Sequence, residues 1–282
     1  MSEIDIDHLR QWVGRERVLV DDLHPFRAQA LASALDRGAA PKAGDLLPLG
    51  WQWLYFLDAP AGSNTSPDGH AELGNFLPPT PLPRRMWAAS EIYIERPFRL
   101  GAVATRRSVL RSVDAKSGTS GSLVFVTVDH EFSQDAKLCL REKQSIVYCE
   151  MPTGPVPIAQ GVAARTDADW SRTIMPDPVL LFRYSALTYN GHRIHYDRQY
   201  AMEHEFYPAL VVHGPLLATL LLEFASAHMP NARFTAFQFR AVRPTFDSHP
   251  FTVNGKREGA SVKLWSADHQ GQLCLSATAT LA

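Results

Sequence analysis

Hydrophobic and polar residues follow two successive patterns along the chain, and the first half shows one helical pattern followed by several strand patterns. Apolar residues recur at helical spacing over residues 19–37, where Pro25 falls in the first turn and Gly38 marks the end. The aromatic-rich segment 49–57 indicates a strand. Further strands are predicted at 87–95, 103–114, 123–132 and 138–148, with a turn at 116–121. The first half is therefore interpreted as a helix followed by antiparallel strands.

The second half repeats this order of elements after a segment of little periodicity at 151–177. Residues 180–189 lead into a turn. Helices are predicted at 197–204 and 215–228, and strands at 233–242, 250–256, 261–268 and 273–281. Two successive units of helix and antiparallel sheet indicate an α+β architecture duplicated in one chain, although no convincing repeat of residues relates the halves. We therefore expect two units, 1–150 and 177–282, joined by a linker at 151–176.

A long loop is predicted between the first helix and the strands that follow. Proline, glycine, serine and asparagine are concentrated at residues 59–83, and these residue types favour turns and loops. Because long loops inside compact domains are often functional, this loop is a candidate functional segment.

Composition and charge are those of an ordinary soluble globular protein. The chain has 282 residues, 45% of them hydrophobic and 20% charged, and its formal net charge of −1 gives no broad attraction to nucleic acid or anionic membranes. Three cysteines without CxxC spacing argue against a disulfide framework or a zinc site and fit a reducing compartment. The acidic N-terminus lacks a secretory pattern, and the apolar run 216–222 is too short to span a bilayer. We expect a cytoplasmic protein without nucleic-acid or membrane partners.

Candidate chemistry is concentrated between residues 184 and 214. Asn190 and His195 flank a turn at an Asn-Gly pair, and such a turn can direct both side chains to one point. Further along, the sequence His-Gly-Pro at 213–215 opens an apolar helix. Because Pro215 suits the first position of a helix, the neighbouring backbone N–H groups are left free to face a ligand.

These residues resemble the signature of the MaoC-like (R)-hydratases, Ser/Thr-Gly-Asp-x-Asn-Pro-x-His, which lies on a hot-dog fold. Thr188 matches the leading hydroxyl residue, Asn190 stands where that family has its catalytic aspartate, and His195 matches its catalytic histidine. The Val-Val-His-Gly segment at 211–214 is similar to the start of the family's central helix.

Two further segments resemble one subgroup of that family. The sequences Asn-Gly-His-Arg-Ile-His-Tyr-Asp at 190–197 and Pro-Leu-Pro-Arg-Arg-Met-Trp at 81–87 are similar to hydroxyacyl-thioester dehydratase type 2 and to the mesaconyl-CoA and itaconyl-CoA hydratases. The resemblance covers nearly the whole chain. It implies a double hot-dog fold, with a degenerate first hot dog at 1–150 and a catalytic second hot dog at 177–282.

The resemblance also implies a mechanism, with one departure from the wider family. An amide does not titrate, so Asn190 cannot be a general base, and proton transfer falls to His195. His195 would activate water for addition to the β-carbon of an enoyl thioester, and Asn190 would hold that water. The backbone N–H of Gly214, at a helix N-terminus, would stabilise the thioester enolate oxygen. Asp197 is a second and less favoured candidate for the acid in this reaction.

Several other residues are candidate contacts for coenzyme A or the acyl group. Arginine binds phosphates and carboxylates bidentately, although a solvated surface is the default for the pair Arg84 and Arg85. His213 is either a ligand contact or a structural residue at the helix entry. The candidate contacts are Arg84, Arg85, Arg193, Arg240, His213 and Tyr189. Because His192 and His195 have no further ligand at suitable spacing, no metal is expected, and no cofactor beyond the coenzyme A of the substrate.

The main functional hypothesis is reversible water addition to a 2-enoyl thioester, with a short branched dicarboxylyl-CoA such as mesaconyl- or itaconyl-CoA as substrate. Dehydration of 3-hydroxyacyl thioesters in fatty acid synthesis, on acyl carrier protein or coenzyme A, is the alternative within this class. A hot-dog thioesterase, with Glu223 as its acidic residue, and a non-catalytic acyl-CoA binding module are alternatives outside it. The expected partner is a small acyl-CoA, and both a monomer and a homodimer are compatible with two hot dogs in one chain.

Overall fold

The computed structural model describes residues 4–118, 121–155, 158 and 160–282. Within these residues, ten strands form one antiparallel sheet. The strands are β1 (Glu16–Asp21), β2 (Arg84–Ile94), β3 (Ala104–Gly118), β4 (Gly121–Gln134), β5 (Lys137–Cys149), β6 (Trp170–Ile174), β7 (Phe234–Ala241), β8 (Phe251–Glu258), β9 (Ser261–Ala267) and β10 (Leu273–Leu281). Their order across the sheet is β1-β3-β4-β5-β2-β7-β10-β9-β8-β6.

The described residues also form five α-helices and three short 3-10 helices. The α-helices are α1 (Ile6–Arg10), α2 (Pro25–Ala34), α3 (Pro178–Leu187), α4 (Arg198–Glu203) and α5 (Gly214–His228), and the 3-10 helices are Trp51–Leu54, Gly62–Asn64 and Arg193–His195. Proline at the first or second position begins α2, α3 and α5, where its fixed φ suits the first turn. Among the residues described, no helix is both long and apolar enough to cross a membrane.

The pairing of β2 with β7 joins the two halves of the chain into one sheet. Ser90 of β2 lies opposite Phe239 of β7, so the strands before residue 150 and those after residue 169 form one continuous surface. Helix α5 packs against β8, β9 and β10, and its residues are buried on nearly all sides. This enclosure explains why the helix is apolar around its whole circumference. The enclosed helix holds its N-terminus in a fixed place beside β2.

Most of the predicted elements are confirmed. The strands predicted at 87–95, 103–114, 123–132 and 138–148 correspond to β2 to β5, and the four C-terminal strands correspond to β7 to β10. The helices predicted at 197–204 and 215–228 are α4 and α5. The loop predicted at 59–83 contains only the 3-10 helix Gly62–Asn64. The turn predicted at 116–121 includes residues 119 and 120, which lie outside the described residues.

The strand predicted at 49–57 is wrong, because the segment forms the 3-10 helix Trp51–Leu54. Trp51, Leu54 and Tyr55 are each no more than 1% exposed. Burial inside the core, and not a place in a pleated sheet, explains the concentration of aromatic residues. The helix predicted at 19–37 is also too long at both ends, since β1 ends at Asp21 and α2 spans Pro25–Ala34.

The segment predicted as a linker at 151–176 contains a strand. Residues Trp170–Ile174 form β6, which pairs with β8 at the edge of the sheet. Only Trp170 and Ile174, at its two ends, pack against the hydrophobic core. Such a short edge strand carries too little alternation to be detected in the sequence. The division of the chain at residues 150 and 177 stays a prediction.

Candidate active site

A cavity of about 1250 Å³ lies between the two halves of the sheet. Its walls come from the loop 59–83, from β2 to β5, from the segment after α3 and from the N-terminus of α5. A ligand in this cavity therefore contacts both halves of the chain. Of the predicted site residues, those that line it are Arg85, Tyr189, Asn190, His195 and Gly214.

His195 is held in a form that suits a general base. Its side chain is buried, and its Nδ1 lies 2.7 Å from the carbonyl oxygen of Val211. A carbonyl only accepts hydrogen bonds, so Nδ1 carries the proton and Nε2 keeps a free lone pair. Burial lowers the pKa of His195 well below its usual value, and the neighbouring His213 and His192 lower it further. The imidazole is therefore neutral at physiological pH.

His213 supports the ring of His195 from the side away from the cavity. The two rings are stacked with their centroids 3.7 Å apart, and His213 is fully buried. Its Nε2 lies 2.8 Å from the hydroxyl oxygen of Ser185 in α3, and burial lowers the pKa of His213 to about 3. Among the described residues His213 is not part of the cavity wall. The structure therefore favours the structural alternative for this residue over a ligand contact.

Asn190 stands in a tight turn directly after α3. Tyr189 has a left-handed backbone with φ of 50°, and the Asn190 N–H donates to the carbonyl of Ser185 at 2.8 Å. The Asn190 Oδ1 accepts a hydrogen bond from the His192 backbone N–H at 3.0 Å. This bond uses one of the two lone pairs of the oxygen, and the Nδ2 amide can donate to a ligand. Tyr189 is 58% exposed and forms part of the cavity wall.

Gly214 is the first residue of α5 and lines the cavity together with Pro215. Among the described residues no acceptor for the Gly214 N–H is found. Pro215 has no N–H, so the Gly214 donor lies at the positive end of the helix dipole without a competing neighbour. Asn190, His195 and Gly214, which the sequence proposes as catalytic, are thereby brought into one cavity.

A chain of ionisable side chains lies next to the turn that carries Asn190, and the sequence analysis did not predict it. His192 Nε2 is 2.8 Å from Glu205 Oε1, and Arg84 Nε donates to Glu205 Oε2 at 3.1 Å. The Arg84 guanidinium also lies over the ring of Tyr207, 4.3 Å from its centroid. Arg84 is thus engaged as the partner of a buried carboxylate. Nothing in the sequence connects Arg84 and Glu205, which are 121 residues apart.

The long loop supplies two further groups that the sequence analysis did not name. His70 Nδ1 lies 2.7 Å from Asp68 Oδ2, and the His70 ring is 4.2 Å from that of His192. Burial and the charge of Arg85 lower the pKa of His70 to about 3. Burial alone would raise the pKa of Asp68, but hydrogen bonds from His70 lower it to about 2. The only sequence signal for these residues was the length of the loop.

Asp68, His70 and His192 also have the geometry of a possible metal site. Their ligand atoms lie within 4.8 Å of one another, although no metal was expected from the spacing of the histidines along the chain. His70 Nδ1 is already bonded to Asp68, and His192 Nε2 to Glu205. The carboxylates therefore occupy one nitrogen of each imidazole, and a metal would have to use the others.

The model of the hydroxyacyl-thioester dehydratase type 2 family matches residues 50–247. The chain belongs to this family. The chain is also 45% identical over 272 residues to the mesaconyl-C(4)-CoA hydratase of Chloroflexus aurantiacus, a match that covers 96% of each chain. The expected class of enzyme, a hydro-lyase that adds or removes water, is therefore confirmed.

Solved structures confirm the expected fold of the chain. It matches HtdX of Mycobacterium tuberculosis with a TM-score of 0.66 and 16% identity, covering 95% of this chain and 100% of the other. A second Mycobacterium tuberculosis protein, described as having a double hotdog fold, matches with a TM-score of 0.58 and 12% identity over 96% of each chain. At these identities the likeness shows the fold alone, which is the double hot dog within the α+β class.

The remaining predicted arginines lie in three different settings. Arg85 lines the cavity close to His70. Arg193 binds the Asp197 carboxylate with two nitrogens, at 3.0 and 2.7 Å, and Asp197 also caps α4. Arg240 lies on the exposed face of β7, outside the cavity wall. Of these three arginines only Arg85 lines the cavity, where its charge acts on His70.

Glu223, the candidate acid of a thioesterase, is not part of the cavity wall among the described residues. It lies on α5, 3.2 Å from Arg37, and burial raises its pKa. Among the described residues the Glu223 carboxylate therefore does not face the cavity in which a thioester would be hydrolysed.

Proposed function

We propose that the protein adds water to the double bond of a short branched dicarboxylyl-CoA, with mesaconyl-C(4)-CoA as the first candidate substrate. The observation that supports the chemistry is the free Nε2 of the neutral His195 in the same cavity as the Gly214 N–H. The observation that supports the substrate is the 45% identity to the Chloroflexus aurantiacus hydratase. A cytoplasmic location stays a prediction from the sequence.

The proposed reaction begins with a water molecule held by the Nδ2 amide of Asn190. His195 Nε2 takes a proton from this water while its oxygen attacks the β-carbon of the enoyl thioester. Negative charge then moves to the thioester oxygen, where the Gly214 N–H and the helix dipole stabilise it. The imidazolium returns a proton to the α-carbon, and the reverse sequence removes water from the 3-hydroxyacyl thioester.

The second carboxylate of such a substrate requires a cation close to the reacting carbons. Arg85 meets this requirement because it lines the cavity. Its charge lowers the pKa of His70, whose ring lies 4.2 Å from the ring of His192. Among the described residues no carboxylate forms an ion pair with Arg85. A substrate carboxylate would supply that partner through a charge-assisted hydrogen bond.

The test compares hydration of mesaconyl-C(4)-CoA and crotonyl-CoA by loss of enoyl absorbance. We expect the wild-type protein to favour the dicarboxylyl substrate in kcat/KM, and Arg85→Gln to reduce this preference about 10- to 100-fold. Arg240→Gln, an exposed arginine outside the cavity, is the matched control and should leave the preference unchanged. Efficient turnover of crotonyl-CoA together with no turnover of dicarboxylyl-CoA esters would exclude the proposed substrate class.

A further inference from the structure

A band of polar side chains crosses the inner face of the first half of the sheet between two apolar clusters. One cluster includes Val126 and Val128, and the other includes Phe132 and Leu140. The members of the band are Ser90, Arg106, Ser108, His130, Glu142 and Gln144, of which Arg106, His130, Glu142 and Gln144 line the cavity. Burying so many polar groups costs free energy unless partners or a ligand satisfy them. The partners of each group therefore indicate whether all the polar groups of the band are satisfied without a ligand.

Arg106 is the group that lacks a partner. Its Nε is buried without a hydrogen bond, and among the described residues no carboxylate forms an ion pair with its guanidinium. Burial and the positive charge of Arg17 lower the pKa of Arg106 to about 10. Arg17 pairs with Asp58 at the exposed end of the cavity, but its Nε is likewise buried without a partner. Two cations thus face one part of the cavity with unused donors.

The nearby carboxylate of Glu142 is already engaged elsewhere. Trp53 Nε1 lies 3.2 and 3.1 Å from its two oxygens, and the Ser90 hydroxyl donates to Oε1 at 2.7 Å. Burial raises the pKa of Glu142, and the charge of Arg106 acts in the opposite direction, so the two groups influence each other electrostatically. Among the described residues no hydrogen bond or ion pair joins Glu142 to Arg106, so the guanidinium keeps donors for a ligand.

The other polar residues of the band present donors to the cavity. His130 Nε2 lies 3.1 Å from Gln144 Oε1, and His130 Nδ1 lies 2.8 Å from the Ser108 hydroxyl. An amide oxygen only accepts, so His130 donates to it, and the amide nitrogen of Gln144 keeps its own donors free. Burial and the charge of Arg106 lower the pKa of His130 to about 4, so the ring is neutral. Unused guanidinium and amide donors match an oxyanion.

This part of the cavity is remote from the reacting carbons. Gly214 packs beside the backbone oxygen of Trp87, which lies opposite Ile146 on β5. Glu142 is four residues further along the same strand, a distance of about 13 Å at the usual rise per residue. The carboxylate of a short dicarboxylyl group bound at Gly214 does not extend this far. A phosphate of coenzyme A, or the distal carboxylate of a longer acyl group, can reach this part of the cavity.

We propose that Arg17, Arg106, His130 and Gln144 form a distal anion subsite, which binds an oxyanion of the acyl-thioester ligand far from the double bond. Arg106 provides the main charge, Arg17 extends the subsite toward solvent, and Gln144 adds an amide donor held in place by His130. The subsite requires only that the ligand is an acyl thioester, so it stands independently of the short dicarboxylyl substrate proposed above.

The experiment measures binding by calorimetry, without turnover, for the wild-type protein and Arg106→Gln. Four saturated probes separate the two sources of the anion, namely butyryl-CoA, butyryl-pantetheine, decanoyl-CoA and the mono-CoA thioester of decanedioic acid. If the subsite binds coenzyme A phosphate, Arg106→Gln raises Kd about 10- to 100-fold for every CoA ester and leaves butyryl-pantetheine unchanged. If it binds an acyl carboxylate, Kd rises selectively for the decanedioic ester.

Equal changes in Kd for all four probes, or no change for any, would overturn the distal anion subsite. The matched control is Arg107→Gln, since Arg107 is the next residue of β3, lies on the exposed face and pairs with Glu16 and Glu131. Thermal unfolding provides the readout that separates a binding role from a structural one. Removing an unpaired buried cation should keep or raise the Tm of Arg106→Gln, whereas a structural arginine would lower it.

Discussion

At the scale of single residues, the chemistry depends on which nitrogen of His195 carries the proton. The bond from Nδ1 to the Val211 carbonyl fixes that choice, and the stacked ring of His213 holds the imidazole in one orientation. The surrounding burial keeps the ring neutral. The Val211 carbonyl, the His213 ring and burial thus together determine the tautomer, the orientation and the charge state of His195.

The pH dependence of hydration follows from the depressed pKa of His195. The base acts only when it is neutral, so kcat/KM should fall in acid as the imidazole takes up a proton. Because burial lowers this pKa well below 6.5, we expect kcat/KM to be constant from pH 6.5 to 8. Steady-state hydration across this range checks the prediction, with circular dichroism at each pH as a control for unfolding. A midpoint at or above pH 6.5 would contradict it.

At the scale of elements, the site depends on close contact between the long loop and the catalytic turn. The Arg193 N–H donates to the Asp68 carbonyl at 2.9 Å, and Gly69 and Gly191 meet backbone to backbone. Gly69 has φ of +91°, and a Cβ there would lie 1.8 Å from the Gly191 carbonyl oxygen. Only glycine fits both this backbone and this contact.

We predict that Gly69→Ala separates the loop from the turn. The methyl group meets backbone atoms that cannot move aside, so His70 should leave the cavity wall and its bond to Asp68 should be displaced with it. Hydration should fall at least about 10-fold, and the free energy of unfolding should drop by about 1–3 kcal/mol. Enzyme assays and urea unfolding measure the two effects. Gly38→Ala, where a Cβ meets open space, is the control, and equal behaviour of the two variants would contradict the prediction.

The sequence predicts elements well where burial follows a strand or helix period, and poorly where it does not. The alternating segments 123–132 and 138–148 are recovered as β4 and β5 because one of their faces is buried. The segment 49–57 was wrongly predicted as a strand because its aromatic residues are buried without the alternation of a strand. The candidate catalytic residues Asn190, His195 and Gly214 share one local segment and were identified from it. His70 and Asp68 lie on a distant loop and join the site only through tertiary contacts, and the role of Glu205 depends on its pairing with the distant Arg84.

At the scale of the whole molecule, the two halves differ in what they contribute to the shared cavity. The second half supplies the catalytic turn and the enclosed helix α5, and the first half supplies the long loop and a polar wall. The single sheet fixes these parts relative to one another through the β2–β7 pairing. Keeping titratable groups in this interior has a consequence for the stability of the whole fold.

We predict that the protein loses stability in mild acid, starting near pH 6.5. Four buried histidines have lowered pKa values, namely His70, His130, His195 and His213. The unfolded chain binds protons at these positions below pH 6.5, and the native state does so only at lower pH. Stability is therefore fully present above pH 6.5 and falls as the pH drops toward 4. Each neutral histidine contributes a loss of about 1.4 kcal/mol per pH unit within that window.

Urea unfolding at pH 7.5, 6 and 5 measures this loss directly. Carboxylates with lowered pKa values, such as Asp68, change the free energy of unfolding only below about pH 4. A decrease in the free energy of unfolding between pH 6.5 and 5 is therefore specific to the histidines. His130→Gln provides a further check, since it removes one titrating group far from the catalytic turn and should make the decline less steep. A free energy of unfolding that stays constant from pH 7.5 to 5 would show that these histidines already bind protons in the native state.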